Sequence, residues 1–187
     1  MIKYNRKSHR GVSSARNSGL RQAGSNLIAY LDSDNAWDKH YLLLMAARFV
    51  SHPEINTAYC ALRVNDQENQ ADFILAKSYT RMRLMQANFI DLNIFMHRRS
   101  LFNQLGGFDE RLTRLVDWEL IIRYTRDNPP CFFPAVLAHY YISKELGNIT
   151  LTESHDANWA IVMERHAEEA ITFGIRPFIT AHARPET

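Results

Sequence analysis

The sequence of 187 residues is poor in the residues that mark unusual protein classes. It has only two cysteines, Cys60 and Cys131, which lie in apolar segments and match no metal-binding spacing. We interpret them as reduced core residues of a cytosolic protein. Seven glycines and six prolines are too few for a collagen-like or low-complexity chain. With 46% apolar and 22% charged residues, the composition predicts one domain with its own core.

Long hydrophobic runs are also lacking. The longest apolar stretches, residues 26–31 and 41–47, fall well short of the roughly 20 residues that cross a bilayer. The basic N-terminus is not followed by an apolar segment of the kind found in secretory signals. We therefore expect a cytoplasmic protein without a transmembrane segment. Peripheral association with the inner face of the membrane is left open.

Acidic residues are absent from the first 31 positions, which contain six lysines and arginines, whereas the rest of the chain is net acidic. The basic segment is either a solvated face or a source of positive potential that attracts phosphate, nucleic acid or anionic lipid. The sequence contains no nucleic-acid recognition motif, so we expect no nucleic acid partner.

Hydrophobic patterning predicts alternating helices and strands. The predicted strands are 26–31, 56–64, 92–97 and 131–141, and the main predicted helices are 12–23, 38–50, 99–105, 117–126 and 156–173. This alternation predicts an α/β fold with a mixed, mostly parallel sheet flanked by helices. Residues 1–150 form the main body of the predicted domain, and residues 151–187 form its last helix and tail.

Two aspartates follow the first buried strand. In an extended chain, residues two apart point to the same side, so Asp32 and Asp34 could bind one cation together. Mg²⁺ and Mn²⁺ take a few carboxylate oxygens and leave other positions to water and phosphate, which suits a nucleotide diphosphate. Taken alone, the Asp-Ser-Asp segment is also typical of a solvated turn before a helix.

Two ordered motifs surround these aspartates. The first is Gly-Val-Ser-Ser-Ala-Arg-Asn-Ser-Gly at residues 11–19, which leads to Asp-Ser-Asp-Asn-Ala-Trp at 32–37. The second is Gly-Gly-Phe-Asp-Glu at 106–110, which precedes Asp-Trp-Glu at 117–119. Together they resemble family 2 glycosyltransferases, enzymes of the GT-A fold. The resemblance implies an inverting, metal-dependent transfer of sugar from a nucleotide-diphosphate sugar to the hydroxyl of a saccharide or lipid-linked acceptor, in surface polysaccharide or glycoconjugate synthesis.

The resemblance also implies residue roles. Asp32 and Asp34 would hold Mn²⁺ or Mg²⁺ and the donor, with Asp34 as the direct ligand. Asp117 would be the general base, although the sequence alone favours an N-cap, and one carboxylate can serve in both roles. Arg16 and Asn17 would contact the nucleotide or its phosphates, but Asn17 could instead be a buried side chain that fixes a loop.

Three further side chains have two interpretations each. Trp37 and Trp118 could stack on a sugar or pack in the core, and core packing is favoured. His139 could be an additional metal ligand, as a late histidine is in some GT-A enzymes, or a structural residue. Glu119 is predicted to pair with Arg123 at i, i+4.

Family 2 enzymes begin with nucleobase-binding strands that have no counterpart in this sequence. The resemblance therefore implies a partial GT-A fold in which the strand at residues 26–31 lacks a neighbour. Because unpaired edges recruit other chains, we expect a homodimer through this edge, or coverage of the edge by residues 1–10. The alternative to an enzyme is a truncated, non-catalytic remnant or binding module of the same fold.

Overall fold

The computed structural model describes residues 2–6, 8–142 and 154–175. The helices are α1 (Gly11–Gln22), α2 (Tyr41–Ser51), α3 (Arg81–Gln86), α4 (Arg99–Leu105), α5 (Val116–Tyr124), α6 (His155–Arg165) and α7 (Ala167–Thr172), with a 3₁₀ turn at Leu92–Ile94. The strands are β1 (Leu27–Ala29), β2 (Ala36–Trp37), β3 (Thr57–Asp66), β4 (Ala71–Leu75), β5 (Phe95–Arg98) and β6 (Cys131–Ile142). The predicted boundary at residues 150–151 lies outside the described residues.

The strands form one mixed sheet in the order β1-β5-β3-β6-β2, and β4 pairs with β3. The predicted α/β class is confirmed, but the expectation of a mostly parallel sheet is wrong. Among these strands only β3 and β6 run parallel, and the other pairings are antiparallel. β3 and β4 are joined by a short turn, which permits only an antiparallel pair, whereas helices α3 to α5 lie between β3 and β6 and supply the long crossover that a parallel pair needs.

The centre of the sheet is covered on both faces. Residues Thr57 to Leu62 of β3 are all buried, as in a strand that contacts helices above and below. Helix α2 contributes Tyr41, Met45 and Phe49 to this core at helical spacing. Nearly every residue of α5 is buried as well, so the start of α5 is held rigidly against the sheet.

The β3–β4 hairpin was not expected from the sequence, which predicted a polar loop at residues 65–70. The strand continues through Asn65 and Asp66, and Asp66 accepts backbone hydrogen bonds from Glu68 and Asn69 in the turn. The predicted helix 156–173 is also interrupted, at His166, where α6 ends and α7 begins. Strand β3 continues into the predicted loop because cross-strand pairing, rather than local composition, decides where the strand ends.

Strand β1 lies at the end of the sheet, where it pairs with β5. Its other side faces a groove of about 480 Å³ that is shared with α1. Residues 2–6 and 8–10 are exposed and form no strand with β1, although Asn5 donates a hydrogen bond to Ser18 on α1. The expected covering of this edge by the N-terminus is therefore absent from the described part of that segment.

Both cysteines are free, which confirms their interpretation as reduced residues. Cys60 is buried in β3, and burial raises the pKa of its thiol to about 12. Within the described ranges, no helix has both the length and the hydropathy that crossing a bilayer requires.

Candidate active site

The two aspartates after β1 lie in a turn rather than in extended chain. The backbone N–H of Asn35 donates to the carbonyl of Asp32 at 3.2 Å, so Ser33 and Asp34 occupy the centre of the turn. The expectation that strand alternation aligns Asp32 with Asp34 is therefore wrong. Asp, Ser and Asn side chains favour such turns, which explains the local reversal. Asp34 is exposed, and its Oδ1 accepts a hydrogen bond from Asn35 at 3.1 Å.

Arg16 connects the two predicted acidic motifs. Its Nη2 lies 2.8 and 3.1 Å from the two carboxylate oxygens of Asp32. The guanidinium stands over the ring of Phe108, 5.5 Å from its centroid. Burial raises the pKa of Asp117, and the positive charge of Arg16 opposes that rise. Arg16 on α1 and Asp32 after β1 are thus in direct contact, and the charge of Arg16 acts on Asp117 of α5, although the three residues are far apart in the sequence.

Asp117 lies inside the first turn of α5. The N-cap position is Leu115, whose backbone is left-handed (φ 59°), so the interpretation of Asp117 as the N-cap is wrong. Burial raises the pKa of Asp117, while Arg16 and a hydrogen bond from Asn88 at 3.1 Å oppose that rise. A carboxylate whose pKa is raised accepts a proton more readily than a fully solvated one.

Asp91 and Asn93 are site residues that were not expected from the sequence. Asn93 is buried, and its backbone N–H and side-chain amide both donate to Asp91 Oδ1 at 2.8 Å. Its own Oδ1 accepts from the backbone N–H of Asp32 at 2.8 Å, so Asn93 joins Asp91 to the acidic turn. Burial and the negative charge of Asp117 raise the pKa of Asp91 to about 6. The Asp-Leu-Asn spacing at the 3₁₀ turn was the only available signal, and it is typical of any capped turn.

Tyr140 on β6 lies within the electrostatic reach of four carboxylates. Burial raises the pKa of its hydroxyl, and the negative charges of Asp91, Asp34, Asp117 and Asp32 raise it further. His139, the neighbouring residue on β6, lies on the opposite face of the sheet, where its charge acts on Asp72 of β4. Strand alternation therefore separates His139 from the carboxylate cluster.

Asn17 has the loop-fixing role. It is buried, and its Oδ1 accepts from the backbone N–H of Phe108 at 2.7 Å, while its Nδ2 donates to the carbonyl of Phe108 and to Glu110, each at 2.9 Å. Its polar atoms are therefore engaged within the chain. Gly107 makes this approach possible, because a Cβ there would lie 2.2 Å from Asn17 Oδ1.

The tryptophans pack in the core. Trp118 is buried, and its Nε1 donates to the carbonyl of Leu84 at 2.7 Å. Trp37 stacks on Tyr41 with ring centroids 4.2 Å apart, and its Nε1 donates to the carbonyl of Asn93 at 2.7 Å. Trp37 thus packs against Tyr41 and is hydrogen-bonded to Asn93, and its ring is not free to stack on a sugar.

The predicted pair of Glu119 and Arg123 is confirmed. Arg123 donates to both carboxylate oxygens of the buried Glu119, at 2.8 and 2.9 Å. The same guanidinium donates to the carbonyls of residues 105–107, which ties α5 to the Gly-Gly turn. Glu119 is therefore a structural residue, although it lies only two positions from Asp117.

A divalent ion would find few protein ligands here. Within the described ranges there is no group of three or more His, Cys, Asp or Glu residues that could hold a metal. Asp34 offers an exposed carboxylate, whereas both oxygens of Asp32 already accept hydrogen bonds from Arg16. This donor set fits an ion such as Mg²⁺ or Mn²⁺ that takes most of its ligands from water and from the phosphates of a nucleotide.

Comparisons with known proteins agree on the fold. S. aureus TarS 1–349 in complex with UDP-GlcNAc matches with a TM-score of 0.67 and 17% identity, over 86% of this chain and 47% of TarS 1–349. The UDP complex matches with a TM-score of 0.61 and 17% identity, over 87% and 46%. This chain therefore spans less than half the length of those proteins.

A comparison with curated proteins finds no match. The family model described as Glycosyl transferase family 2 matches residues 1–106, a segment that includes Arg16, Asp32 and Asp34. Because that match covers more than half of the sequence, the chain belongs to glycosyltransferase family 2.

Proposed function

We propose that this chain carries the acidic part of the active site of an inverting, metal-dependent glycosyltransferase. The observation that carries this proposal is the position of Arg16, whose guanidinium binds Asp32 and whose charge acts on Asp117. A fixed positive charge beside Asp32 suits the binding of a diphosphate there, and the same charge acts on the carboxylate that is proposed to take a proton from a hydroxyl. The TarS structures hold UDP-GlcNAc in one case and UDP in the other, which makes a nucleoside-diphosphate sugar the proposed donor.

Asp117 is the proposed general base. Its carboxylate takes the proton of the acceptor hydroxyl while the acceptor oxygen attacks the anomeric carbon. The bond from that carbon to the diphosphate oxygen breaks on the opposite side, which inverts the configuration. The hydrogen bond from Asn88 orients the carboxylate, and the raised pKa of Asp117 favours proton transfer.

Asp34 is the proposed protein ligand of Mn²⁺ or Mg²⁺, and Asp32 is the second candidate if it releases Arg16. The bound ion would offset negative charge on the departing diphosphate. Arg16 lies beside the same turn and supplies a second positive charge there. Asn17 is left out of this assignment because its amide holds Phe108. A cytoplasmic location and contact with the inner face of the membrane stay predictions.

Calorimetry with Mn²⁺ and a panel of nucleoside diphosphates tests the donor half of the proposal. We expect binding that depends on the metal, and at least a tenfold loss of affinity in Asp34→Ala. Asp117→Asn should bind like the unchanged chain, and so should Asp156→Asn, an exposed aspartate on α6 that serves as the control. Binding that is equally tight without metal, or unaffected by Asp34→Ala, would contradict the metal assignment.

Turnover tests the general base. With a nucleotide sugar and acceptor, Asp117→Asn should lower kcat by about 10²- to 10⁴-fold. The second candidate function is a binding module or remnant without turnover, and the limited span of this chain against TarS favours examining it. Metal-linked nucleotide binding without any sugar transfer would support the module and refute the enzyme.

A further inference from the structure

A second cavity lies apart from the groove that Arg16 lines, and the two share no lining residue. It measures about 250 Å³ and lies between the β3–β4 hairpin, the end of β6 and the segment 88–91. The register pairs Val64 with Phe73 on one side and with Tyr140 on the other. Paired residues point to the same face of a sheet, so these three side chains form one wall of the cavity.

This cavity adjoins the proposed general base. Asn88 lines it and donates the 3.1 Å hydrogen bond to Asp117 Oδ2. Asp91 also lines it, and the charge of Asp117 acts on the Asp91 carboxyl. A ligand in the cavity would therefore lie beside the carboxylate that has to take a proton from the acceptor.

The walls combine apolar and hydrogen-bonding groups in separate places. Phe73, Phe89 and Tyr140 offer aromatic surfaces, while Asp91 and Asn88 lie at the end nearest Asp117. The hydrogen bonds from Asn93 both reach Oδ1 of Asp91, which leaves Oδ2 as an acceptor for a ligand hydroxyl. A pyranose ring has the matching arrangement, with apolar C–H faces and hydroxyls around its edge.

The charge of the cavity argues against the donor nucleotide as the occupant. Its lining residues include no lysine or arginine, and Asp91 would repel a diphosphate. Arg16, by contrast, is at Asp32, in the lining of the groove beside β1. A neutral hydroxylated ligand suits the cavity, and its volume lies just below the roughly 300–1,000 Å³ of drug-sized pockets, which favours a single sugar residue.

We propose that this cavity binds one sugar residue of a saccharide acceptor, with Phe73 as the stacking surface and Asp91 as the hydroxyl acceptor. The assignment of the bound sugar to an acceptor rests on the proposed function, whereas the binding of a sugar does not. Burial and the surrounding carboxylates keep the Tyr140 hydroxyl protonated, so it supplies a hydrogen-bond donor at the same wall. Residues that line the cavity would thereby determine which acceptor is used.

NMR titration of this chain with methyl glycosides of glucose, galactose, mannose and N-acetylglucosamine tests the proposal. We expect saturable binding of at least one glycoside without any nucleotide. Phe73→Ala should raise its Kd about 3- to 10-fold because stacking is lost. Phe73 is 44% exposed, so the protein should still fold. Ile74→Ala is the control, since Ile74 is exposed on the opposite face of β4.

Three results would overturn the proposal. One is the absence of binding by every glycoside, and another is an equal Kd in Phe73→Ala and the unchanged chain. The third uses octyl β-glucoside: saturation transfer confined to its alkyl protons would identify a lipid chain as the occupant. Failure of the nucleotide calorimetry with intact glycoside binding would refute the proposed enzyme and leave the sugar site standing.

Discussion

Replacing Gly107 with alanine tests how the Gly-Gly-Phe-Asp-Glu segment is held. The new Cβ would lie 2.2 Å from Asn17 Oδ1 and 3.1 Å from its Cγ, so the amide must move. Moving it breaks the hydrogen bond that the backbone N–H of Phe108 donates to Asn17 at 2.7 Å. The two bonds from Asn17 Nδ2 to Phe108 and Glu110 would be disturbed as well.

The cost has two sources. A buried donor left without its partner costs about 1–3 kcal/mol, and overpacking costs about 1–3 kcal/mol. We therefore expect Gly107→Ala to lower the free energy of unfolding by about 3 kcal/mol. For a chain of this size, that corresponds to a fall in Tm of roughly 6–12 °C. Phe108 lies under Arg16, so the loosened segment should also reduce nucleotide binding.

Denaturant unfolding followed by circular dichroism measures this change. Gly19→Ala is the matched control, because nothing lies within 4 Å of a Cβ at Gly19 and the residue is inside α1. Alanine favours helices over glycine, so the control should gain about 0.5–1 kcal/mol. Adding Gly107→Ala to Asn17→Ala should cost less than about 1 kcal/mol, because the clashing amide is gone. An unfolding free energy of Gly107→Ala within about 0.5 kcal/mol of the unchanged chain would refute the reasoning.

Three other predictions concern charge and the sheet edge. Burial acts to raise the pKa of Glu119, but Arg123, His166 and Arg165 outweigh it and lower that pKa to about 2. Since this is below the value in the unfolded chain, the stabilisation is complete above about pH 4.5 and is lost toward pH 2. Unfolding measured from pH 2.5 to 7 should show this loss of stability. Glu119→Gln should lack the loss and be about 3–5 kcal/mol less stable at pH 7. The same pH profile in Glu119→Gln and the unchanged chain would contradict the pairing. Arg16→Gln should raise the pKa of Asp117, measured by ¹³C NMR of the carboxyl carbon, and an unchanged pKa would remove Arg16 from the site. Leu31→Lys should reduce self-association in sedimentation velocity, because Leu31 is exposed beside β1, whereas equal association in both proteins would place the contact elsewhere.

Local patterns in the sequence were sufficient for much of the framework. Helix α4 was predicted at residues 99–105 and occurs at Arg99–Leu105, because its apolar positions and the following glycines are local signals. The strand before Asp32 and the pair of Glu119 and Arg123 were predicted for the same reason. The family motifs indicated the GT-A fold, and the side chains of Arg16 and Asp32 do meet, while the charge of Arg16 acts on Asp117.

What the sequence determined by itself was therefore the type of each main element and the residues of its motifs, since these depend on neighbours within a few positions. Only the tertiary structure decided which side chains share the site. Asp91 comes near Asp117 on the segment before the 3₁₀ turn, and alternation along β6 turns Tyr140 toward these carboxylates and His139 to the opposite face of the sheet. Register and strand direction depend on contacts between distant segments, and no local pattern specifies those contacts.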